Sequence, residues 1–311
     1  MPLLRVALIQ AAPVMFERAA TIERVAALAG EAAEKGAELA LFPEAFISGY
    51  PHGLDWGGRG AAIMGEEAGR DYARRYHASA VTVPSADTER LGAIARKHRL
   101  HLVLGVIERD GGTLYCAVLF FNPEGVLFGR RRKVMPTFAE RLVWGQGDGS
   151  TLTVHETPLG RMGAVICWEN YMPLLRASMY AQGIELYLAP TADDFDSWFP
   201  SMQHIAVEAR CFVLSCNQFN RRSDFPKDYG SFPSEDPDFV VARGGSCLVD
   251  PFGRFVIPPH LEGPAVLTAE IDTSLIAEGK ASFDCVGHYA RPDLFRLAVD
   301  RTPRASVAFI G

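Results

Sequence analysis

Residues 163–176 read G-A-V-I-C-W-E-N-Y-M-P-L-L-R. The apolar run 163–166 predicts a buried strand that stops at Cys167. Tyr171, Leu174, Leu175, Ala177, Ser178 and Met179 then fall at helical spacing, with Pro173 near the start, where a proline costs no hydrogen bond. The stretch therefore predicts a strand running into a helix over 171–181, the joint of an α/β fold. Cys167 sits at that joint. Backbone N–H groups and the positive end of the helix dipole beside it would favour thiolate, the nucleophilic form. A lone cysteine at a strand end is more often a small, inert core residue. The neighbours argue otherwise, because Trp168, Glu169 and Asn170 put a large ring and two polar groups where a core would take apolar ones.

The totals bound the answer. A chain of 311 residues suits two domains or one large α/β domain, and can bury about three quarters of its surface. The net charge of −6 argues against a nucleic-acid partner. Six cysteines without a C-x-x-C pair or zinc-ligand spacing, and no signal peptide, predict free thiols in a reducing cytoplasm. Charges interrupt every apolar run well short of membrane-spanning length, so no transmembrane helix is expected.

Upstream of the opening stretch, 3–10 reads as a strand and 21–35 as an Ala-rich amphipathic helix stopped by Gly36. Residues 39–42 form a short buried strand ended by Pro43. Glu44 stands just past its C-terminal end, where open α/β sheets bind ligands, although a loop acid is the alternative. Residues 50–85 combine Tyr50, Pro51, His52 and Trp56 with Gly53, Gly57, Gly58 and Gly60, which predicts a long functional loop and then a helical piece near 69–80. A helix follows over 87–98, then a hairpin of 102–107 and 115–121 about Gly111-Gly112. After the N-P-E-G turn at 122–125, Arg130 to Arg132 read as a solvated basic face, while Lys133 borders the apolar Val134-Met135-Pro136. The Gly-rich loop 137–150 lacks the G-K-[ST] ending of a phosphate loop.

Segments 152–157 and 161–166 read as a hairpin into Cys167. Downstream come a strand at 185–189 ending in Pro190-Thr191, a helix over 198–210 and a strand over 212–217. Residues 220–243 read as an exposed polar excursion. The D-P-F-G turn at 250–253 echoes N-P-E-G and hints at two halves of similar plan, before a strand at 266–271 and a helix at 273–281.

Glu44, Lys133 and Cys167 each stand at the end of a predicted strand. Brought together, a thiolate can attack an electrophilic carbon, an ammonium can stabilise the negative charge that develops, and a carboxylate can move protons and activate water. That is a complete set for hydrolysing a carbon–nitrogen bond through a thioester.

The strings L-F-P-E-A-F-I-S-G-Y-P at 41–51, R-R-K-V-M-P-T-F-A-E-R-L-V-W-G-Q-G-D-G-S at 131–150 and I-C-W-E-N-Y-M-P-L-L-R at 166–176 carry a clear resemblance. From about residue 3 to 297 the chain resembles the nitrilase superfamily of carbon–nitrogen hydrolases, and within it the nitrilase branch. The resemblance implies a four-layer α-β-β-α sandwich formed by one domain over 1–311, with a short tail from about 287. It implies Glu44 as general base, Lys133 as stabiliser of the anionic intermediate, Cys167 as nucleophile and Glu140 as a second glutamate beside them. Tyr50 and Trp168 would shape the substrate pocket. No metal or organic cofactor is implied. The expected reaction takes a small-molecule nitrile to the carboxylic acid and ammonia through a cysteine thioimidate and thioester, in a homodimer or higher homo-oligomer. The tail is shorter than in many nitrilases, where it helps build spirals. The same triad also serves amidases and cyanide hydratases, and a non-catalytic scaffold could keep the fold. A papain-like protease lacks its C-G-S-C-W signature here, and His98 with His101 has no further zinc-ligand set.

Overall fold

The computed structural model describes residues 3–52, 67–229, 232–305 and 307. Most of the long loop predicted after Tyr50, with Gly53, Trp56, Gly57, Gly58 and Gly60, lies outside the described residues.

The first half runs β1 (Leu3–Gln10), α1 (Arg18–Glu34), β2 (Leu39–Leu41), α2 (Glu67–Ser79), α3 (Ala86–His98), β3 (His101–Asp110), β4 (Thr113–Phe121) and β5 (Leu127–Arg132). The second runs β6 (Met162–Ala164), α4 (Pro173–Tyr180), β7 (Leu186–Thr191), α5 (Trp198–Ala209), β8 (Phe212–Asn217), the small pair β9 (Phe219–Arg221) and β10 (Val240–Arg243), then β11 (Ser246–Val249) and β12 (Phe255–His260). β13 (Ala265–Asp272) and α6 (Ser274–Ser282) follow. One sheet has the order β13-β1-β2-β3-β4-β5 and the other β12-β11-β8-β7-β6. In the first, β1, β2 and β3 are parallel, β4 and β5 continue antiparallel, and β13 returns antiparallel to β1. In the second, β6, β7 and β8 are parallel and β11 and β12 continue antiparallel.

The two halves thus share one plan, as the paired turns hinted. Asn122 Oδ1 accepts the Val126 N–H at 2.8 Å, and Asp250 Oδ1 accepts the Arg254 N–H at 3.0 Å. Gly125 and Gly253 each close their turn at φ +83°, a conformation open to glycine.

Side-chain alternation builds the layers. In β1, Val6 and Leu8 point one way and Ala7 and Ile9 the other. Val6 and Leu8 join Leu39 and Leu41 in a cluster shared with Met162, Ala164, Leu186, Leu188, Phe212 and Leu214 of the other sheet. Ala7 and Ile9 pack with Ile22, Val25 and Ala29 of α1 and Leu91 and Ile94 of α3. On the far side, Tyr187, Ala189 and Val213 meet Leu175 and Met179 of α4 and Met202, Ile205 and Ala206 of α5. The result is the expected α-β-β-α sandwich. Its parallel strands are covered on both faces, which is why they read as unbroken apolar runs.

Several local expectations are corrected. The helix predicted over 171–181 begins only at Pro173, because a 3-10 turn, Cys167–Tyr171, intervenes. Arg130 to Arg132 are no solvated face: Arg131 is buried against Glu169, and Arg130 and Arg132 pair with buried Glu108 at 2.8 and 2.6 Å. A buried carboxylate needs such partners, and β5 supplies them. Within 220–243, Arg222 and Tyr229 are buried, and β9 pairs with β10. The hairpin into Cys167 is reduced to β6 and one bridge between His155 and Met162.

Candidate active site

Glu44 follows β2 in a short bulge across β3. The Phe42 N–H donates to the Val103 carbonyl and the Ile47 N–H to the Gly105 carbonyl, so residues 43–46 arch over Gly105. A Cβ on Gly105 would lie 2.2 Å from the Pro43 oxygen and 2.7 Å from Glu44 Cα, so the missing side chain sets the height of the arch. Gln218 donates its amide to the Glu44 carbonyl at 2.8 Å.

Lys133 follows β5 directly. Its buried ammonium donates to Glu44 Oε1 at 2.7 Å and to Glu140 Oε2 at 2.6 Å. Glu140 stands in the 3-10 turn Phe138–Leu142, where Oε2 also accepts the Thr137 N–H at 2.6 Å and Oε1 accepts the Tyr50 hydroxyl at 2.8 Å. The Lys133 ammonium lies 5.4 Å from the centre of the Trp144 ring, which itself meets Tyr50 edge to face.

Cys167 comes from the other sheet. It opens its 3-10 turn in the left-handed region, φ +51°, so the chain reverses sharply as β6 ends. Its Sγ, a Glu44 carboxylate oxygen and a Glu140 carboxylate oxygen lie within 4.8 Å of one another. The joint is braced from below. Glu169 accepts the Ile166 N–H at 3.0 Å, the Val134 N–H at 2.6 Å and the Arg131 guanidinium at 2.8 Å, so one buried carboxylate ties the segment after Lys133 to the segment around Cys167. Asn170 donates to the Val165 and Cys167 carbonyls and accepts the Tyr187 hydroxyl. Replacing Glu169 by alanine strands Arg131 and two N–H groups, and the variant is expected to lose about 3 kcal/mol of stability in urea unfolding, with Glu169→Gln losing less.

The electrostatics follow from burial. Burial pushes the Glu44 carboxyl up to about 7, Lys133 opposes the rise and Glu140 adds to it. Burial works against the Lys133 charge, but Glu44, Cys167 and Glu140 hold the ammonium well above its usual range. Burial first, and then Glu44, push the Cys167 thiol well up, against the pull of Lys133. The short turn at Cys167 faces two carboxylates, and their field and the lost hydration both work against the thiolate that the helix end alone would favour. A thiol that attacks from here needs an acceptor for its proton. Glu44 Oε2 is buried and has no hydrogen-bond partner among the described residues.

Trp168 is partly exposed, donates its indole N–H to Asp193 at 2.8 Å and meets Tyr171 edge to face. With Tyr50, Pro51, Thr137, Phe138, Ala139 and Glu140 it lines a cavity of about 300 Å³. Glu44, Lys133, Glu140 and Cys167 therefore meet in one buried cluster, and Tyr50 and Trp168 line the cavity that Glu140 borders. Sequence reasoning missed the bracing partners Cys116, Glu169, Asp193 and Gln218. Only Glu169 carried a signal, as a charge within a strand-end motif.

Residues 5–281 match the model of the carbon-nitrogen hydrolase family. The chain is 54% identical over 303 residues to an aliphatic nitrilase of Sinorhizobium fredii, covering 97% of each chain. It is 50% identical to a bifunctional nitrilase/nitrile hydratase of Nicotiana tabacum, over 99% of this chain and 89% of that one. Among solved structures, Saccharomyces cerevisiae Nit3, a member of branch 10 of the nitrilase superfamily, superposes with a TM-score of 0.71 at 22% identity, over 92% of this chain and 96% of that one. With the family model spanning most of the chain and half the residues shared with these relatives, the chain belongs to the carbon-nitrogen hydrolase family.

Proposed function

We propose that the chain is a nitrilase that hydrolyses an organic nitrile to the carboxylic acid and ammonia. The observation that carries the reading is the buried meeting of Cys167, Lys133 and two carboxylates, one of which keeps an oxygen unpartnered. The names of the relatives support the nitrile as substrate.

The geometry supports the following course. As Cys167 Sγ attacks the nitrile carbon, Glu44 Oε2 takes the thiol proton. Lys133, held between Glu44 and Glu140, faces the negative charge that grows on nitrogen, and proton return gives a neutral thioimidate. Glu44 then deprotonates a water that adds to the thioimidate carbon. The resulting tetrahedral carbon expels ammonia once the nitrogen is protonated, which leaves a thioester. A second water, activated the same way, releases the acid and restores the thiol. Two waters are consumed for each ammonia and acid formed. Glu140 holds Lys133 in register and is itself held by Tyr50 and Thr137.

Among the described residues the cavity lining holds no basic side chain, which favours neutral nitriles. Tyr50 and Trp168 are its walls in this reading. We also read the chain as one domain, supported by the cluster both sheets share, and as a cytoplasmic homodimer or higher homo-oligomer. Among the described residues no helix is long and apolar enough to cross a membrane.

Incubation with phenylacetonitrile, a simple aliphatic nitrile, cyanide and a matching amide, with acid, amide and ammonia quantified separately, tests the reading. Equal amounts of acid and ammonia from at least one organic nitrile are expected. Amide as the sole product would turn the assignment to a hydratase, and turnover of the amide alone to an amidase.

A further inference from the structure

A second thiol belongs to this site. Cys116 lies on β4, 1% exposed, on the face that looks into the cluster between the sheets. Its Sγ is 3.4 Å from Glu44 Oε1, the oxygen that also receives the Lys133 ammonium at 2.7 Å. The backbone carbonyl of Cys116 accepts the Lys133 N–H at 2.8 Å. One residue therefore holds the Glu44 carboxylate through its side chain and the backbone of Lys133 through its main chain. Among the described residues the other oxygen of Glu44, Oε2, has no hydrogen-bond partner.

We propose that the Cys116 thiol is a positioning residue for Glu44: it donates to Oε1, and together with Lys133 it pins that oxygen so that Oε2 alone exchanges protons with Cys167 and water. The proposal rests on the reading of Glu44 as the base. A carboxylate held at one end by two donors cannot flip to offer either oxygen, so the proton acceptor keeps one direction through both halves of the reaction. Donation runs from sulfur to oxygen because burial and the adjacent Glu44 charge keep Cys116 protonated. The charged or titratable groups facing Glu44 are Lys133, Glu140, Cys116, Cys167 and Tyr50. Of these, Lys133 and Cys116 donate to its carboxylate.

The alternative is that Cys116 merely fills space. Cys116→Ala and the similarly sized Cys116→Val remove the donor, whereas Cys116→Ser keeps one. With the donor gone, the ionised form of Glu44 loses a hydrogen bond, so the acid limb of kcat/KM is expected to move up by about half a pH unit, and kcat at pH 7 to fall about three- to tenfold with KM within about twofold. The serine variant is expected to restore the limb and most of kcat. An unmoved acid limb in Cys116→Val, or a serine variant as impaired as valine, overturns the proposal. Glu44→Gln, measured alongside, separates the two claims: if it still turns over nitrile, the base assignment itself fails, whereas an inactive Glu44→Gln with an indifferent Cys116→Val sinks only the role of the thiol.

Discussion

Replacing Cys167 by alanine is expected to reduce nitrile turnover by at least about ten thousandfold while leaving the cooperative unfolding transition in place. Alanine cannot form the thioimidate, and the neighbouring thiol, Cys116, is engaged with Glu44 Oε1. The structural cost is small. The side chain is short, and alanine meets the same left-handed backbone at φ +51° that cysteine already tolerates. The bracing by Glu169 and Asn170 uses the backbone on either side and does not touch the sulfur. Steady-state turnover and a urea or thermal melt on the same preparation check both halves. Unchanged hydrolysis would refute the nucleophile assignment, and loss of the folded state would leave Cys167→Ser, with its poorer nucleophile, as the variant to measure.

Glu44→Gln is expected to cost about a thousandfold or more in kcat/KM, yet to make the protein more stable at pH 8. The sign follows from where the carboxyl titrates. Its folded value, about 7, lies above the ordinary 4.5. The native state therefore favours the protonated acid. The stabilisation this gives is complete below about pH 4.5 and is lost as pH rises through about 7, a span worth on the order of 3 kcal/mol. Above pH 7 the wild-type protein carries a buried carboxylate that the fold disfavours, despite Lys133. Glutamine removes that charge. Catalysis has the opposite requirement, because only the ionised acid can accept the Cys167 proton, so wild-type kcat/KM should fall below about pH 7. A Glu44→Gln melt that is lower than wild type at pH 8, or a wild-type profile flat from pH 5 to 8, would contradict this account.

Much of this was legible in the chain. Parallel strands buried on both faces write themselves as unbroken apolar runs, so β1, β7 and β8 and the helices between them were placed within a few residues. Glu44 and Cys167 were found as polar residues at the ends of such runs, and Lys133 as the last of a basic run bordering the apolar Val134-Met135-Pro136. What stayed hidden was whatever depends on contacts across the sandwich. Arg131 read as solvated because its partner, Glu169, is 38 residues away, in the turn that follows β6 of the other sheet. Cys116 went unremarked within the strand 115–121, because an apolar run accepts a thiol. The electrostatic surroundings of Cys167 were only half visible, because local sequence shows the helix end and not the two carboxylates that face the sulfur. The α-β-β-α arrangement came from the family resemblance, since alternating strands and helices suit a barrel equally well.

The shared plan of the two halves has one further bearing. Acid and amine hang from the first sheet and the sulfur from the second, so the reacting atoms straddle a seam held in alignment by apolar contacts and by the buried Glu169 brace. Bond-making here is thus a gauge of how the sheets are seated: a slip of one across the other by an ångström would silence the enzyme long before either layer lost a strand.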